Sequence, residues 1–286
     1  MSGLALRCEG LSHTYSVDGN DVVALDHVSL EVAAGETLAL LGPSGSGKST
    51  LLTLLAGLLK PTKGRLLVGP HDVHGMTERQ LLGMRAGDIG VILQNPGRNL
   101  LPYATAEANV RFTQLAVRRV AATRRPRALL ERLELEHVAR QPAGTLSGGE
   151  QQRLAVAVSL ANGPGLLLAD EPTSQLDAAN RDHVLNLLRA ANRDFGTTLV
   201  VVTHDPQVAA ALDRTVRLRD GMIRSDQHTR SDVLVVGDDG TIRLPPVALG
   251  VLPPGTEIQA LPRAGGVDLR PVGELPSSSP GATTVR

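Results

Sequence analysis

Four short apolar runs punctuate this sequence, at residues 37–41, 89–93, 166–169 and 197–203, and each stops at a polar or glycine-rich segment. None alternates with polar residues and none has the length of an ordinary helix, so all four read as strands buried on both faces. Residues 4–8 carry a weaker strand signal, and the alternation over 28–32 fits an edge strand. Residues 34–36 turn into the first apolar run; 60–64 form another turn before a short strand over 65–68. Between the runs the period changes. Leu51, Leu52, Leu54 and Leu55 recur with helical spacing, and 77–84 and 178–191 read as helices. Strands alternating with helices predict an α/β core.

From about residue 97 to 145 the strand signals thin out. Helical periodicity with many arginines covers 105–120 and 124–135, which predicts a helical insertion in the core. The arginine run 118–127 fits a solvated helix face better than a phosphate or lipid surface. Beyond about residue 225 the pattern shifts again. Residues 233–236 and 241–244 flank Gly237-Asp238-Asp239-Gly240 and predict a β-hairpin, and 256–260 and 267–269 predict further strands. Ser, Pro, Gly and Thr dominate 276–286, as in a disordered tail.

Composition narrows the picture. With no Trp, two Tyr and two Phe, the core must be built of Leu, Val and Ala. A formal net charge of +0 gives no support for nucleic acid as a partner. Cys8 is the only cysteine, which rules out an internal disulfide and fits a cytosolic location. The N-terminus lacks the apolar core of a signal peptide. No run reaches the roughly 18 apolar residues of a membrane span, so at a membrane another chain would have to cross it.

The candidate chemistry sits where the apolar runs end. After 37–41 comes Gly42-Pro43-Ser44-Gly45-Ser46-Gly47-Lys48-Ser49-Thr50, a match to the phosphate-binding P-loop, with a strand before it and a helix after it. Glycines let backbone N–H groups close around phosphate, and the following helix begins with free N–H groups and a positive dipole end. Lys48 supplies a compact point charge; Lys48, Lys60 and Lys63 are the only lysines in a chain that otherwise uses Arg. The motif gives Ser49 the hydroxyl for Mg2+. The run 166–169 ends in Asp170 and Glu171. Adjacent strand residues face opposite ways, so the two carboxylates have different jobs: Asp170 at the metal, Glu171 as the base that polarises water. Gln94 and His204 each end another buried strand, where α/β sheets place ligands. Leu146-Ser147-Gly148-Gly149-Glu150 opens a further helix with Ser147 as N-cap, a second anion-ready start. From its position alone Tyr15 reads as a strand-end residue covering the sheet, with base stacking the alternative.

In order and spacing these motifs resemble the nucleotide-binding subunit of an ABC transporter, over about residues 4–222; the Ser147-Gly148-Gly149-Glu150 signature between P-loop and Asp170-Glu171 is the specific sign. The resemblance implies an ABC-type P-loop NTPase: a RecA-like α/β core with an antiparallel β subdomain and an α-helical subdomain. It implies ATP and Mg2+ as ligands and ATP hydrolysis as the activity. It makes Tyr15 the aromatic that stacks on adenine, against the positional reading. It makes Gln94 a Mg2+-touching residue that signals to a membrane partner, Asp170 the metal carboxylate, Glu171 the catalytic base, Asp177 the Asp of the crossing loop, and His204 the histidine near the γ-phosphate. It further implies a head-to-tail homodimer in which Ser147, Gly148 and Gly149 of one copy close on the γ-phosphate held by Lys48 of the other.

Asn99-Leu100-Leu101-Pro102 and Thr105-Ala106-Glu107-Ala108-Asn109-Val110 are similar to the branch of lipoprotein-releasing, macrolide-exporting and cell-division cassettes that work with FtsX-like permeases. The chain departs from that branch at Leu93 and at Asn95-Pro96. By this resemblance the protein is peripheral on the inner face of the plasma membrane and powers export or extraction of a lipidated, hydrophobic or peptide substrate. The alternative is force transmission to cell-wall enzymes outside. A soluble ABC ATPase is disfavoured by the single nucleotide domain, the missing coiled-coil insertion and the neutral charge. The expected domains are 1–224 for the cassette, with about 97–160 as its helical subdomain, 225–275 as a small β-rich domain resembling AbrB-like swapped-hairpin barrels, and 276–286 as tail.

Overall fold

Residues 3–17, 20–115, 125–174, 176–228, 256, 258–263 and 266–271 are described by the structure, a computed structural model. The chain forms two compact units, Met1–Asp226 and Gln227–Arg286. In chain order the first carries β1 (Leu6–Val17), β2 (Asn20–Val32), β3 (Thr37–Leu41), α1 (Lys48–Leu55), β4 (Lys63–Val68), β5 (His71–Asp72), α2 (Glu78–Gly87) and β6 (Ile89–Ile92). It continues with α3 (Ala106–Leu115), α4 (Pro126–Arg132), α5 (Gly148–Leu160), β7 (Leu166–Asp170), α6 (Ala178–Phe195), β8 (Thr198–Thr203), α7 (Pro206–Ala210), β9 (Arg214–Arg219) and β10 (Met222–His228).

The strands make two sheets, ordered β2-β1-β4-β5 and β10-β9-β3-β8-β7-β6. The first is antiparallel in every pairing. In the second, β6, β7, β8, β3 and β9 run parallel. The four apolar runs are its middle. Every residue of β3 and of β8 is buried. Alternate residues feed two different clusters. Leu38, Leu40, Leu166, Leu168, Val200 and Val202 pack with the α1 leucines and the antiparallel sheet. Ala39, Leu41, Leu167, Ala169, Leu199 and Val201 pack against residues of α5, α6 and the helical insertion. A sheet covered on both faces has no polar face to expose, which is why these strands read as unbroken apolar runs.

The sequence underestimates the antiparallel sheet. Strands expected over 4–8 and 28–32 belong to a long hairpin running from Leu6↔Val32 to Val17↔Asn20. Register shifts between Cys8 and Leu11, Leu11 and His13, and His13 and Thr14 break the two-residue period that would have revealed it. Neither β9 nor β10 was expected. Val216 and Leu218 of β9 point inward and Arg217 and Arg219 outward, a readable but very short alternation. The helix expected over 178–191 runs on to Phe195 and stops at Gly196, left-handed with φ 65°. In the insertion, α3 and α4 fall within the expected 105–120 and 124–135; residues 116–124 lie outside the described set. In the second unit, β11 (Ile258–Arg263) and β12 (Gly266–Pro271) pair antiparallel, from Ile258↔Pro271 to Arg263↔Gly266. The hairpin expected over 233–244 and the tail 276–286 lie outside the described residues.

Candidate active site

The P-loop joins β3 to α1. Gly47 is the N-cap of α1 in the left-handed conformation, φ 96°, and no side chain caps the helix's first turn. The helix dipole and its unspent N–H groups therefore face whatever binds there. A Cβ on Gly42 would lie 2.2 Å from the Leu218 carbonyl oxygen, and one on Gly47 2.5 Å from that of Ala24, so both positions demand glycine. Gly45 is left-handed, φ 78°, with open space around its Cα. Pro43 accepts a hydrogen bond from the Ser46 N–H at 3.3 Å, closing the loop on itself. Ser46 is buried, and among the described residues its hydroxyl has no partner. Lys48 is buried too, and its Nζ donates to the carbonyl oxygens of Gly42 and Pro43, both at 2.8 Å. An ammonium has three protons, so one stays free for a ligand. Burial pushes the Lys48 pKa down, against the pull of Glu171 and Asp170.

Those carboxylates stand at the end of β7. Burial pushes the Asp170 carboxyl up; a hydrogen bond from Ser49 opposes this, Glu171 adds to it, and Lys48 opposes it. Ser49 and Asp170 are thus neighbours. Among the described residues no group of three or more His, Cys, Asp or Glu could hold a metal alone. A hydroxyl plus one carboxylate is a donor set for Mg2+ only when phosphate oxygens and water complete the octahedron, and that fits a nucleotide-borne ion. Glu171 lies one residue past the strand with φ 48°, its N–H still donating to the Val202 carbonyl at 3.0 Å. The kink, not the strand pleat, is what sends the two carboxylates apart. Glu171 Oε1 meets His204 Nδ1 at 2.8 Å, with the Glu side chain 13% exposed and the His side chain 62%. His204 directly follows β8, so neighbouring parallel strands deliver an acid–base pair to the P-loop's edge.

Tyr15 rides on β1, its hydroxyl 3.5 Å from Thr50 Oγ1 and its ring edge-on to buried His13 at 4.7 Å and 81°. The aromatic is therefore beside the first turn of α1. Ser44 is exposed on the loop. Gln94 follows β6 and is exposed; no hydrogen bond joins it to Ser49 or Asp170. Two asparagines that sequence reasoning missed hold the segment after β6. Asn99 accepts from the Leu93 N–H at 2.9 Å and donates to the Val91 carbonyl at 2.7 Å. Buried Asn109 accepts from the Leu101 N–H and donates to the carbonyls of Leu101, Ala104 and Thr105. Their roles need partners that only the chain's reversal supplies.

A second cluster forms at the start of α5. Ser147 caps the helix in a full capping box with Glu150. Glu150 Oε2 accepts from the Ser147 N–H at 2.9 Å and from its hydroxyl at 2.7 Å. His137 Nε2 reaches Glu150 Oε1 at 3.0 Å. The Ser147 bonds hold the Glu150 carboxyl below its usual range, against burial. Asp177 caps α6, accepting from the N–H and side-chain amide of Asn180 at 2.8 and 3.0 Å, and these bonds lower its pKa. A Cβ on Gly149 would come within 3.2 Å of Asn180 Oδ1, so the starts of α5 and α6 lie side by side. The predicted residues thus gather in two places: Tyr15, the P-loop, Asp170, Glu171 and His204 in one, and Ser147, Gly148, Gly149, Glu150 and Asp177 in the other.

Residues 25–174 match the family model described as ABC transporter. A lipoprotein-releasing system ATP-binding protein, LolD, of Granulibacter bethesdensis is 40% identical over 221 residues, covering 77% of this chain and 96% of that protein. A macrolide export ATP-binding/permease protein, MacB, of Rhodopirellula baltica is 41% identical over 237 residues, covering 80% of this chain; the match spans only 34% of that longer protein. A dimeric ATP-binding cassette solved in a post-hydrolysis state with ADP and Pi superposes with TM-score 0.72 and 35% identity, over 79% of this chain and 99% of the other.

Proposed function

The chain belongs to the ABC transporter family, as an ATP-binding cassette of MacB and LolD type that hydrolyses ATP with Mg2+, and from that premise we propose that two copies close head to tail on two nucleotides and so drive a membrane permease. One observation carries this reading: a single chain has two anion-ready helix starts, α1 and α5, on separate clusters of site residues. Each would complete the other's site across a two-fold axis; that cassettes of the same fold have been solved as dimers supports the reading.

In this reading Tyr15 stacks on adenine, Gly42 to Thr50 cradle the phosphates, and Lys48 donates its remaining N–H to them as a hydrogen bond. Ser49, Asp170 and Gln94 would hold Mg2+, which when bound would supply neutralisation of charge on the phosphates. Glu171 takes the proton of the attacking water, and His204 orients that carboxylate from its Nδ1 side and reaches the γ-phosphate. Ser147, Gly148, Gly149 and Glu150 close on the partner copy's γ-phosphate, and Asp177 holds the crossing loop in shape. The helical subdomain, about 97–160, meets the permease. Tyr103, Phe112 and Leu115 support this, being 80%, 60% and 77% exposed there. Among the described residues no helix is long and apolar enough to cross a membrane. In this reading the cassette sits peripherally on the cytoplasmic side, held there by the permease. The cargo is a lipidated, hydrophobic or peptide substrate. The second unit stabilises the cassette or receives a regulator.

The test is a pair of variants read by light scattering with ATP. Glu171→Gln is expected to bind ATP, to lose turnover by a factor on the order of a hundred or more, and to accumulate as dimer. Ser147→Arg is expected to bind ATP and stay monomeric. Dimerisation of Ser147→Arg would refute the head-to-tail arrangement. Purification of Glu171→Gln from native membranes should bring a permease with few spans and a large outer domain; a many-span channel would refute the branch.

A further inference from the structure

Glu150 accepts three hydrogen bonds at two oxygens: the Ser147 N–H and hydroxyl at Oε2, and His137 at Oε1. A carboxylate has no proton to give, so at 2.7 Å the proton between it and Ser147 Oγ belongs to the serine. The other contact of that hydroxyl, the Glu150 N–H at 3.4 Å, uses a lone pair. Ser147 as it stands therefore offers only acceptors. The terminal phosphate of ATP is also an acceptor, and the two cannot bond until Ser147 lets Glu150 go. When the hydroxyl turns, the carboxylate, its side chain only 19% exposed, loses one donor and keeps the Ser147 N–H at Oε2 and His137 at Oε1 while a polyanion approaches.

We propose that His137 is a positioning residue for the signature, the donor that retains Glu150 when Ser147 turns to the partner's nucleotide. The inference rests on the head-to-tail reading above. His137 is well placed for the task. It lies on the short turn Glu136–Val138, before the helix it serves, and approaches the oxygen that Ser147 does not use. Because the acceptor is ionised, Nε2 must carry a proton, as the neutral Nε2–H tautomer or as imidazolium. The same turn borders a small cavity lined by Arg127, Glu136, His137 and Arg140. Arg153 approaches Gly149 from the helix itself. Among the described residues His137 is the ionisable side chain that bonds to the second oxygen of Glu150.

The experiment uses full-length protein in the Glu171→Gln background. It measures the ATP concentration for half-maximal dimerisation and, separately, the affinity of the Ser147→Arg monomer for a fluorescent ATP analogue with and without the change at residue 137. His137→Ala is expected to raise the first by about threefold to tenfold, the loss of one partly exposed charge-assisted hydrogen bond, and to leave the second unchanged. His137→Gln, which keeps an N–H donor, should restore closure. Closure of His137→Ala at the parent's ATP concentration, or failure of His137→Gln to restore closure, overturns the proposal. If the parent itself does not dimerise, the head-to-tail reading falls and takes this inference with it; if the parent closes and His137→Ala matches it, only the inference falls.

Discussion

At the scale of single residues the site trades stability for charge. Ser49 and Lys48 favour the Asp170 carboxylate, yet burial wins and pushes its carboxyl above the usual 3.8. The folded state then binds that proton more tightly than the unfolded chain does. Stability from this group is fully present below the unfolded value and is lost as pH rises through the folded one. Above the folded value the cost is complete, because the carboxylate is then charged in a place that disfavours charge. Asp170→Asn removes the charge and keeps an oxygen for Ser49. Its melting temperature at pH 7 should exceed that of the parent, by about 2–4 °C for each kcal/mol relieved. The gap should narrow as the pH falls toward 3.8. If Asp170 is the metal's carboxylate, as proposed, hydrolysis should fall at the same time. Melting curves across a pH series decide the matter; a gap that does not change with pH would show that burial of the charge is not its cause.

At the scale of elements the parts the sequence missed are those held by side chains reaching across the fold. Arg214 is the main example. Its guanidinium is 11% exposed and makes a paired contact with Asp226 of β10 at 2.6 and 2.5 Å, another with Glu36 Oε1 at 3.0 Å, and a third with the Glu31 carbonyl at 2.7 Å. It therefore ties β9 to β10 and both to the turn entering β3. Asp226→Ala should destabilise the cassette by about 1–2 kcal/mol, discounted because Asp226 is itself partly exposed. A urea unfolding midpoint equal to the parent's would refute the tie. The buried runs of β3 and β8 were legible because burial on both faces writes one hydrophobicity on every residue. The length of β1 was not, because bulges at Cys8, Leu11 and His13 shift the period each time it starts to show. In the site, Lys48, Ser49 and Asp170 were legible as positions because phosphate and metal chemistry need those groups at that spacing. The kink at Glu171, the bonds of Asn99 and Asn109, and the approach of His137 to Glu150 carry no local signature. Each is set by where a distant strand or turn arrives.

At the scale of the whole molecule a balanced charge conceals a local field. Acidic and basic residues number 29 each. Yet a cleft of about 590 Å³ opens against Gly42 and Pro43 of the P-loop, lined by Arg217, Arg219 and Arg224 with Asp220 as its one acid. Asp220 lies 3.7 Å from Arg219, and among the described residues Arg217 and Arg224 have no ion-pair partner. The inward alternation of β9, which buries Val216 and Leu218, forces its arginines to this side of the loop. ATP carries several negative charges, so if it approaches past this cleft it meets a positive field that the net charge does not reveal. Replacing Arg217, Arg219 and Arg224 together by Gln should slow association of a fluorescent ATP analogue by about threefold to tenfold at low salt and leave its dissociation rate alone. The difference should vanish near 1 M salt, where the Debye length shrinks to about 3 Å. A loss that persists in high salt would instead place an arginine in direct contact with the nucleotide. No loss at low salt would mean that the P-loop's own dipole and Lys48 set the field unaided.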